Sequence, residues 1–149
     1  MAVTAKIYAS MFENMGGGNT SGEGPMDMLS DTIKVTLHTS SNSISQTADT
    51  VFADLTNQLS TAGGYTSGGA TLGTKTYAVS SLTTTFDAAD TVWTTATFSA
   101  DQAHVWDDTP TSPADPLISY ADFGATNSPS AADFTLAWNA SGIFTVTVA

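Results

Sequence analysis

The feature that most constrains the fold is a series of short segments in which apolar and polar residues alternate. In residues 32–39, Ile33, Val35 and Leu37 fall on one side and polar residues on the other. This period of two is typical of a half-buried antiparallel strand. Segments of similar character follow at intervals typical of a β-sandwich or barrel. They are residues 70–79, 82–86, 92–100, 103–106, 117–123, 134–138 and 143–148.

The composition favours the same fold class. The 149 residues include 26 Thr and 17 Ser but only two Glu, three Lys and no Arg. Thr suits a pleated surface, whereas Glu and Lys are the usual residues of exposed helix faces. We therefore predict an all-β protein, a single-domain antiparallel β-sandwich of the jelly-roll or Ig-like type, over residues 26–149. The absence of cysteine excludes thiol catalysis, Cys-based zinc sites and a disulfide scaffold.

The first 25 residues are predicted to be a short helix followed by a linker. Over residues 6–15, the spacing of the apolar residues indicates an amphipathic helix, and residues 16–25 contain five glycines and a proline. Two interpretations remain open, a terminal helix docked on its own domain and an arm that grips a neighbouring subunit. The apolar anchors of such an arm would be Ile7, Tyr8, Met11 and Phe12.

Three local features are predicted between the strands. Residues 51–55 fit a short helix or a strand, with their apolar residues favouring one helical turn. The glycine pairs around Tyr65 indicate an irregular turn or bulge. Residues 134–138 and 143–148 are separated by a four-residue loop ending in Gly142, so we predict that they pair as a hairpin.

The charge restricts the partners. A net charge of -11 argues against nucleic acid and against an anionic membrane surface, because both are bound mainly through Lys and Arg. The sequence contains no export signal and no run approaching the ~18 apolar residues of a membrane span. We therefore expect a protein made and used without crossing a membrane.

Residues that could carry chemistry are few. No nucleophile elbow marks any serine as activated. His104, Asp107 and Asp108 form the best metal candidate, and a weak calcium site near Asp87 and Asp90 is conceivable. A solvated acidic loop and ordinary Asp-containing turns are the favoured interpretations of these residues. We predict no catalytic residues, no metal and no cofactor.

Among the aromatic residues, Trp106 is the candidate for ligand binding. It precedes an acidic loop, residues 107–115, and an exposed indole there would stack on a sugar ring. Packing is the more common role for an aromatic at a strand end, and we expect Trp138 to fill the core.

From residue 31 onward, the chain resembles small virion structural proteins of tailed bacteriophages. Six segments carry the resemblance in the same order, namely DTIKV (31–35), FADLTN (52–57), GYTSGGATL (64–72), DTVW (90–93), PLISYADFG (116–124) and FTLAWNASGIFTV (134–146). The glycine-rich stretch 16–25 and the strand around His104 and Trp106 depart from the family pattern.

The resemblance implies a non-enzymatic head decoration or cement protein. Such a protein would assemble in the host cytoplasm and bind the phage major capsid protein on the capsid exterior, as a homo-oligomer for which we expect a trimer. The alternative is a tail or fibre component that binds carbohydrate or a receptor through Trp106. A metal-dependent hydrolase centred on His104, Asp107 and Asp108 is a third possibility.

Overall fold

A computed structural model of the chain describes residues 4–16 and 26–148. It contains three antiparallel sheets and one short α-helix. The prediction of an all-β, antiparallel, sandwich-like domain is confirmed. The strands are β1 (Thr4–Ile7), β2 (Ile33–His38), β3 (Ala70–Thr71), β4 (Thr76–Ser80), β5 (Thr83–Asp87), β6 (Thr91–Thr97), β7 (Ala100–Asp107), β8 (Leu117–Asn127), β9 (Ser130–Leu136) and β10 (Phe144–Thr147). Helix α1 is Met11–Met15, and Phe52–Asp54 form a 3-10 turn.

The strands form sheets of five, three and two members. Their orders are β1-β8-β7-β2-β3, β10-β5-β4 and β6-β9. In the five-stranded sheet, β2 pairs with β7 over its whole length, from Ile33 opposite Asp107 to His38 opposite Gln102. This register places each apolar residue of β2 on one face and each polar residue on the other, as its alternation predicts.

The main core lies between the five-stranded sheet and the two smaller sheets. Ile33, Val35 and Leu37 of β2 are fully buried there, and Phe86 of β5 and Phe144 of β10 belong to the same cluster. Aromatic and aliphatic side chains supply most of this core, as expected for a sandwich.

The opposite face of the five-stranded sheet is also covered. A second, smaller cluster contains Tyr8, Trp106, Leu117 and Tyr120, with half-buried Ile44, Phe52 and Leu55 packed against it. Because the connection between β2 and β3 contributes these last three residues, it covers the polar face of β2. Polar residues of that face are therefore buried.

The N-terminal segment differs from its prediction. Residues 4–7 form strand β1, which pairs with β8, and the helix is confined to Met11–Met15. The prediction of a helix from residue 6 is wrong, because edge pairing with Ser119 and Tyr120 satisfies the backbone of Lys6 and Ile7. Residues 17–25 of the predicted linker lie outside the described residues, and the division of the chain at residue 25 stays a prediction.

The predicted pairing of the two C-terminal strands is wrong. Strand β9 pairs with β6, and β10 pairs with β5. The predicted strand 70–79 is divided into β3 and β4, while the helical turn at 51–55 is confirmed as the 3-10 turn. Around Tyr65, the two glycine pairs have positive φ angles in an irregular turn, as predicted.

Candidate functional site

An open groove lies against the face of the five-stranded sheet that carries the main core. Its volume is about 650 Å³. Its floor includes Ala5, Ala121 and Ala103, which are register partners across β1, β8 and β7. A row of three alanines leaves space that larger side chains would fill, and this explains the depth of the groove here.

Aromatic side chains form much of the opposite wall. Phe134 lies 5.4 Å from Phe98 and 6.2 Å from Phe123 between ring centroids, so its ring is held on two sides. Trp138 lines the groove and donates its Nε1–H to the carbonyl oxygen of Ala89 at 3.2 Å. A pocket whose walls are fixed by packing and hydrogen bonds is organised before a ligand arrives.

The connection after β9 depends on one glycine. Gly142 has a φ of +95°, and a Cβ atom there would lie 2.6 Å from the carbonyl oxygen of Phe86. The chain therefore turns tightly beside β5 and presents Ile143 to the groove. All the described residues that line the groove are uncharged, in a protein whose net charge is -11. Such a surface suits an apolar side chain or loop of another protein.

The histidines lie on the other face of the same sheet, in a buried hydrogen-bond network. His104 and His38 have no exposed surface, and their ring centroids are 4.6 Å apart. His104 Nδ1 lies 2.7 Å from the Tyr8 hydroxyl, and its Nε2 lies 3.3 Å from Gln102 Oε1 and 3.3 Å from Asn42 Nδ2.

The rest of this network also ends on protein groups. His38 Nδ1 lies 2.7 Å from the carbonyl oxygen of Thr56, and its Nε2 lies 3.1 Å from Thr36 Oγ1. Asn42 Nδ2 donates to Gln102 Oε1 at 2.9 Å, and the backbone N–H of Thr56 donates to Asn42 Oδ1 at 2.8 Å. These hydrogen bonds satisfy the side chains of His38, His104, Asn42 and Gln102, which are buried.

Burial keeps the network neutral. It lowers the pKa of His104 to about 3, with a smaller contribution from the neighbouring His38. Burial also lowers the pKa of His38, although the carbonyl oxygen of Thr56 opposes this effect. The pKa of Tyr8 is raised, mainly by burial and then by the charge of Asp49. These groups therefore neither gain nor release a proton near neutral pH.

The four residues predicted to bind a partner lie in different environments. Tyr8 and Met11 are fully buried, Tyr8 in the smaller core and Met11 in the main core. Ile7 is half-buried on β1 and packs against the main core. Phe12 is 46% exposed. Within this chain, Phe12 is thus the one of the four that offers most of a side chain to a partner.

Trp106 is buried, contrary to the expectation of an exposed indole. It is only 4% exposed and stacks on Phe52, with ring centroids 4.4 Å apart and an angle of 18° between the planes. Lys34 Nζ lies 5.4 Å from the centroid of its ring. The connection between β2 and β3, which carries Phe52, covers the indole, so Trp106 presents no face for a sugar to stack on.

The proposed metal ligands are not brought together. His104 bonds to Tyr8 within the network, Asp107 lies against Asp31, and Asp108 forms an ion pair with Lys34 at 2.5 Å. Asp90 Oδ1 accepts the backbone N–H of Trp138. Within residues 4–16 and 26–148, no group of three or more His, Asp or Glu side chains is arranged to hold a metal ion.

Comparisons with known proteins add no family to these observations. No family model, no curated protein and no solved structure matches the chain. Among the described residues, no helix has the length and apolar character needed to span a membrane.

Sequence reasoning did not find the groove. Ala103 and Ala121 look like ordinary strand residues, and Ala5 lies in an N-terminal segment for which the sequence predicts no strand. To find the groove from the sequence, one would have to predict the strand register that aligns these alanines.

Proposed function

We propose that this chain is a non-enzymatic structural protein of a tailed-bacteriophage virion, a head decoration or cement protein that binds the outer surface of the capsid. The resemblance over residues 31–149 motivates the proposal, and the uncharged groove is the observation that carries it. The major capsid protein is the proposed partner.

The groove supports binding rather than chemistry. Its lining is apolar or neutral, whereas both histidines are buried in an internal network on the other face of the sheet. A loop of the capsid protein with an apolar side chain at its tip would enter the groove between Ala121 and Trp138. Many copies on one particle would multiply such modest contacts through multivalency.

Oligomerisation is part of the proposal. Closed symmetry is the common arrangement of homo-oligomers, and a trimer would match local threefold positions on a capsid. Phe12, exposed on α1, is available for a contact with a capsid subunit or a second copy. Analytical ultracentrifugation of the wild-type chain and of Phe12→Ala would show whether this residue supports an oligomer.

The alternative, a tail or fibre module that binds carbohydrate, has lost its candidate residue because Trp106 is covered. The remaining candidate for stacking on a sugar is the indole of Trp138, which is half-buried in the wall of the groove. Glycan binding abolished by Trp138→Ala, without binding to capsids, would favour this alternative over decoration.

The test of capsid binding fills the groove at an exposed position. Ala5→Trp places an indole on the groove floor, and we expect it to reduce co-sedimentation with capsids at least tenfold. The matched control is Thr145→Trp, which adds the same ring at an exposed position of β10 outside the groove lining. It should bind like the wild type.

Two results would contradict the proposal. One is the absence of wild-type protein from sedimented capsids of the phage that encodes it. The other is equal binding by the wild type and Ala5→Trp, with circular dichroism showing both to be folded, which would remove the groove from the binding surface.

A further inference from the structure

Two carboxyl groups from distant parts of the chain meet at the end of the five-stranded sheet. Asp107 is the last residue of β7 and pairs with Ile33, the first residue of β2. Asp31 lies in the bend that precedes β2, two residues before Ile33. This geometry brings the carboxyl groups of Asp31 and Asp107 into contact.

One oxygen of each carboxyl group is fixed by a backbone donor. Asp107 Oδ1 accepts the N–H of Thr109 at 3.0 Å, and Asp31 Oδ2 accepts the N–H of Asp27 at 2.7 Å. The other oxygen of Asp107, Oδ2, is buried and has no hydrogen-bond donor among the described residues. Asp107 has no exposed surface at all, so water does not satisfy this oxygen from outside.

The lysines near this pair are engaged elsewhere. Lys34 pairs with Asp108, in the only ion pair between side chains of the described residues. Lys75 donates to the main-chain carbonyl oxygen of Asp31 rather than to a carboxylate. A buried carboxylate facing a second carboxylate, with no cationic side chain bonded to either, requires a positive charge or a proton from another source.

We propose that Asp31 and Asp107 together bind a hard divalent cation, Ca²⁺. Carboxylate oxygens are its preferred ligands, and Ca²⁺ tolerates the irregular geometry of a site made from a loop and a strand end. Because Asp31 is half-exposed, water can complete the coordination from that side. The ion would tie the segment before β2 to the end of β7.

The affinity follows from the number of charged ligands. Two carboxylates give a weaker site than the four or more of an EF-hand, so we expect a Kd in the range of about 10⁻⁴ to 10⁻³ M. The competing occupant is a proton. Burial, with a contribution from Asp31, raises the pKa of Asp107, so proton competition weakens as the pH rises.

The experiment measures Ca²⁺ binding to the full chain at pH 8, by calorimetry and by thermal unfolding. Chelator-treated protein is compared in 150 mM NaCl with and without 5 mM CaCl₂. We expect the wild-type midpoint to rise by about 3–5 °C with calcium. Asp107→Asn and Asp31→Asn should each lose most of this shift.

Asp108→Asn is the matched control, because it removes the same charge from the neighbouring residue, whose partner is Lys34. It should retain the calcium response. Equal shifts in all four proteins would indicate general screening of the acidic surface and would overturn the proposal. So would identical melting curves with calcium and with chelator, since the pair would then hold a proton only. If Asp107→Asn does not fold, the result for Asp31→Asn decides the test, because Asp31 is half-exposed.

Discussion

At the scale of single residues, the two histidines are structural. Their rings meet edge to face, at an angle of 67°, and each is hydrogen-bonded inside the protein. A second positive charge 4.6 Å away would be unfavourable in a buried site. The pair is therefore compatible with the fold only while both rings are neutral, which makes the network sensitive to acid.

The burial of His104 leads to a prediction about how the stability of the protein depends on pH. The pKa of His104 is about 3 in the folded protein and about 6.5 in an unfolded chain. Between these values, the unfolded chain binds a proton that the folded protein does not, so stability is complete above pH 6.5 and declines as the pH falls. For His104 alone, the free energy of unfolding should fall by about 2 kcal/mol between pH 7 and pH 5.

Denaturant unfolding of the wild type and of His104→Gln at pH 7 and pH 5 isolates this contribution, because the other titrating groups are present in both proteins. We expect the wild type to lose more stability than the variant. Equal losses would mean that His104 is protonated in the folded protein.

At the scale of secondary-structure elements, the alternation of apolar and polar residues predicted the strands well. It predicted their neighbours in the sheets poorly. Strand β2 and the face it buries follow directly from its apolar residues, Ile33, Val35 and Leu37. Alternation identified the apolar face of β2 but gave no sign that its polar face is buried as well. It also does not identify the neighbouring strand. The assignment of β9 and β10 to one hairpin failed for this reason, since each of them pairs with an earlier strand.

The pair of carboxyl groups proposed to bind Ca²⁺ shows the same limit of sequence prediction. The contact between Asp31 and Asp107 depends on the pairing of β2 with β7, whose partners are about seventy residues apart. For β1, the spacing of Ile7 and Met11 fits a helix equally well. Tertiary pairing with β8 overrides this local preference.

The glycine that directly precedes β3 provides a prediction at this scale. Gly69 has a φ of +78°, and a Cβ atom there would lie 2.1 Å from the carbonyl oxygen of Val35. Gly69→Ala should therefore reduce the free energy of unfolding by about 2–4 kcal/mol, through backbone strain and displacement of β2.

Gly73→Ala is the control for this change. A Cβ atom added at Gly73 would meet nothing within 4 Å beyond its chain neighbours, and this glycine does not have a positive φ. Its replacement should therefore change stability by less than about 1 kcal/mol. Chemical denaturation of both variants measures the difference, and similar stabilities would contradict the close packing of Gly69 on β2.

At the scale of the whole molecule, the uncharged groove differs from the rest of an acidic protein. The protein carries a net charge of -11, yet the residues lining its groove are uncharged. Composition alone predicted the acidic character and the exclusion of nucleic acid as a partner. It contained no indication of where an uncharged concave surface would form, because that depends on the packing of three sheets.

The proposed binding through the groove predicts a weak dependence on salt. If apolar contacts dominate, the affinity for capsids should change less than about threefold between 50 and 500 mM NaCl, since screening acts on exposed charges. Quantitative sedimentation across a salt series measures this. A loss of tenfold or more would place the contact on the acidic surface instead.

The pairing of β1 with β8 has a consequence for how the chain folds. Thr4 lies opposite Asp122, so more than a hundred residues must be in place before the edge strand finds its neighbour. Contacts between such distant residues slow folding, since a large loop is closed before any hydrogen bond is gained. We expect the β4–β5 hairpin to form early and β1 to dock late, leaving Tyr8 and the ring of His104 open to solvent until the final stage.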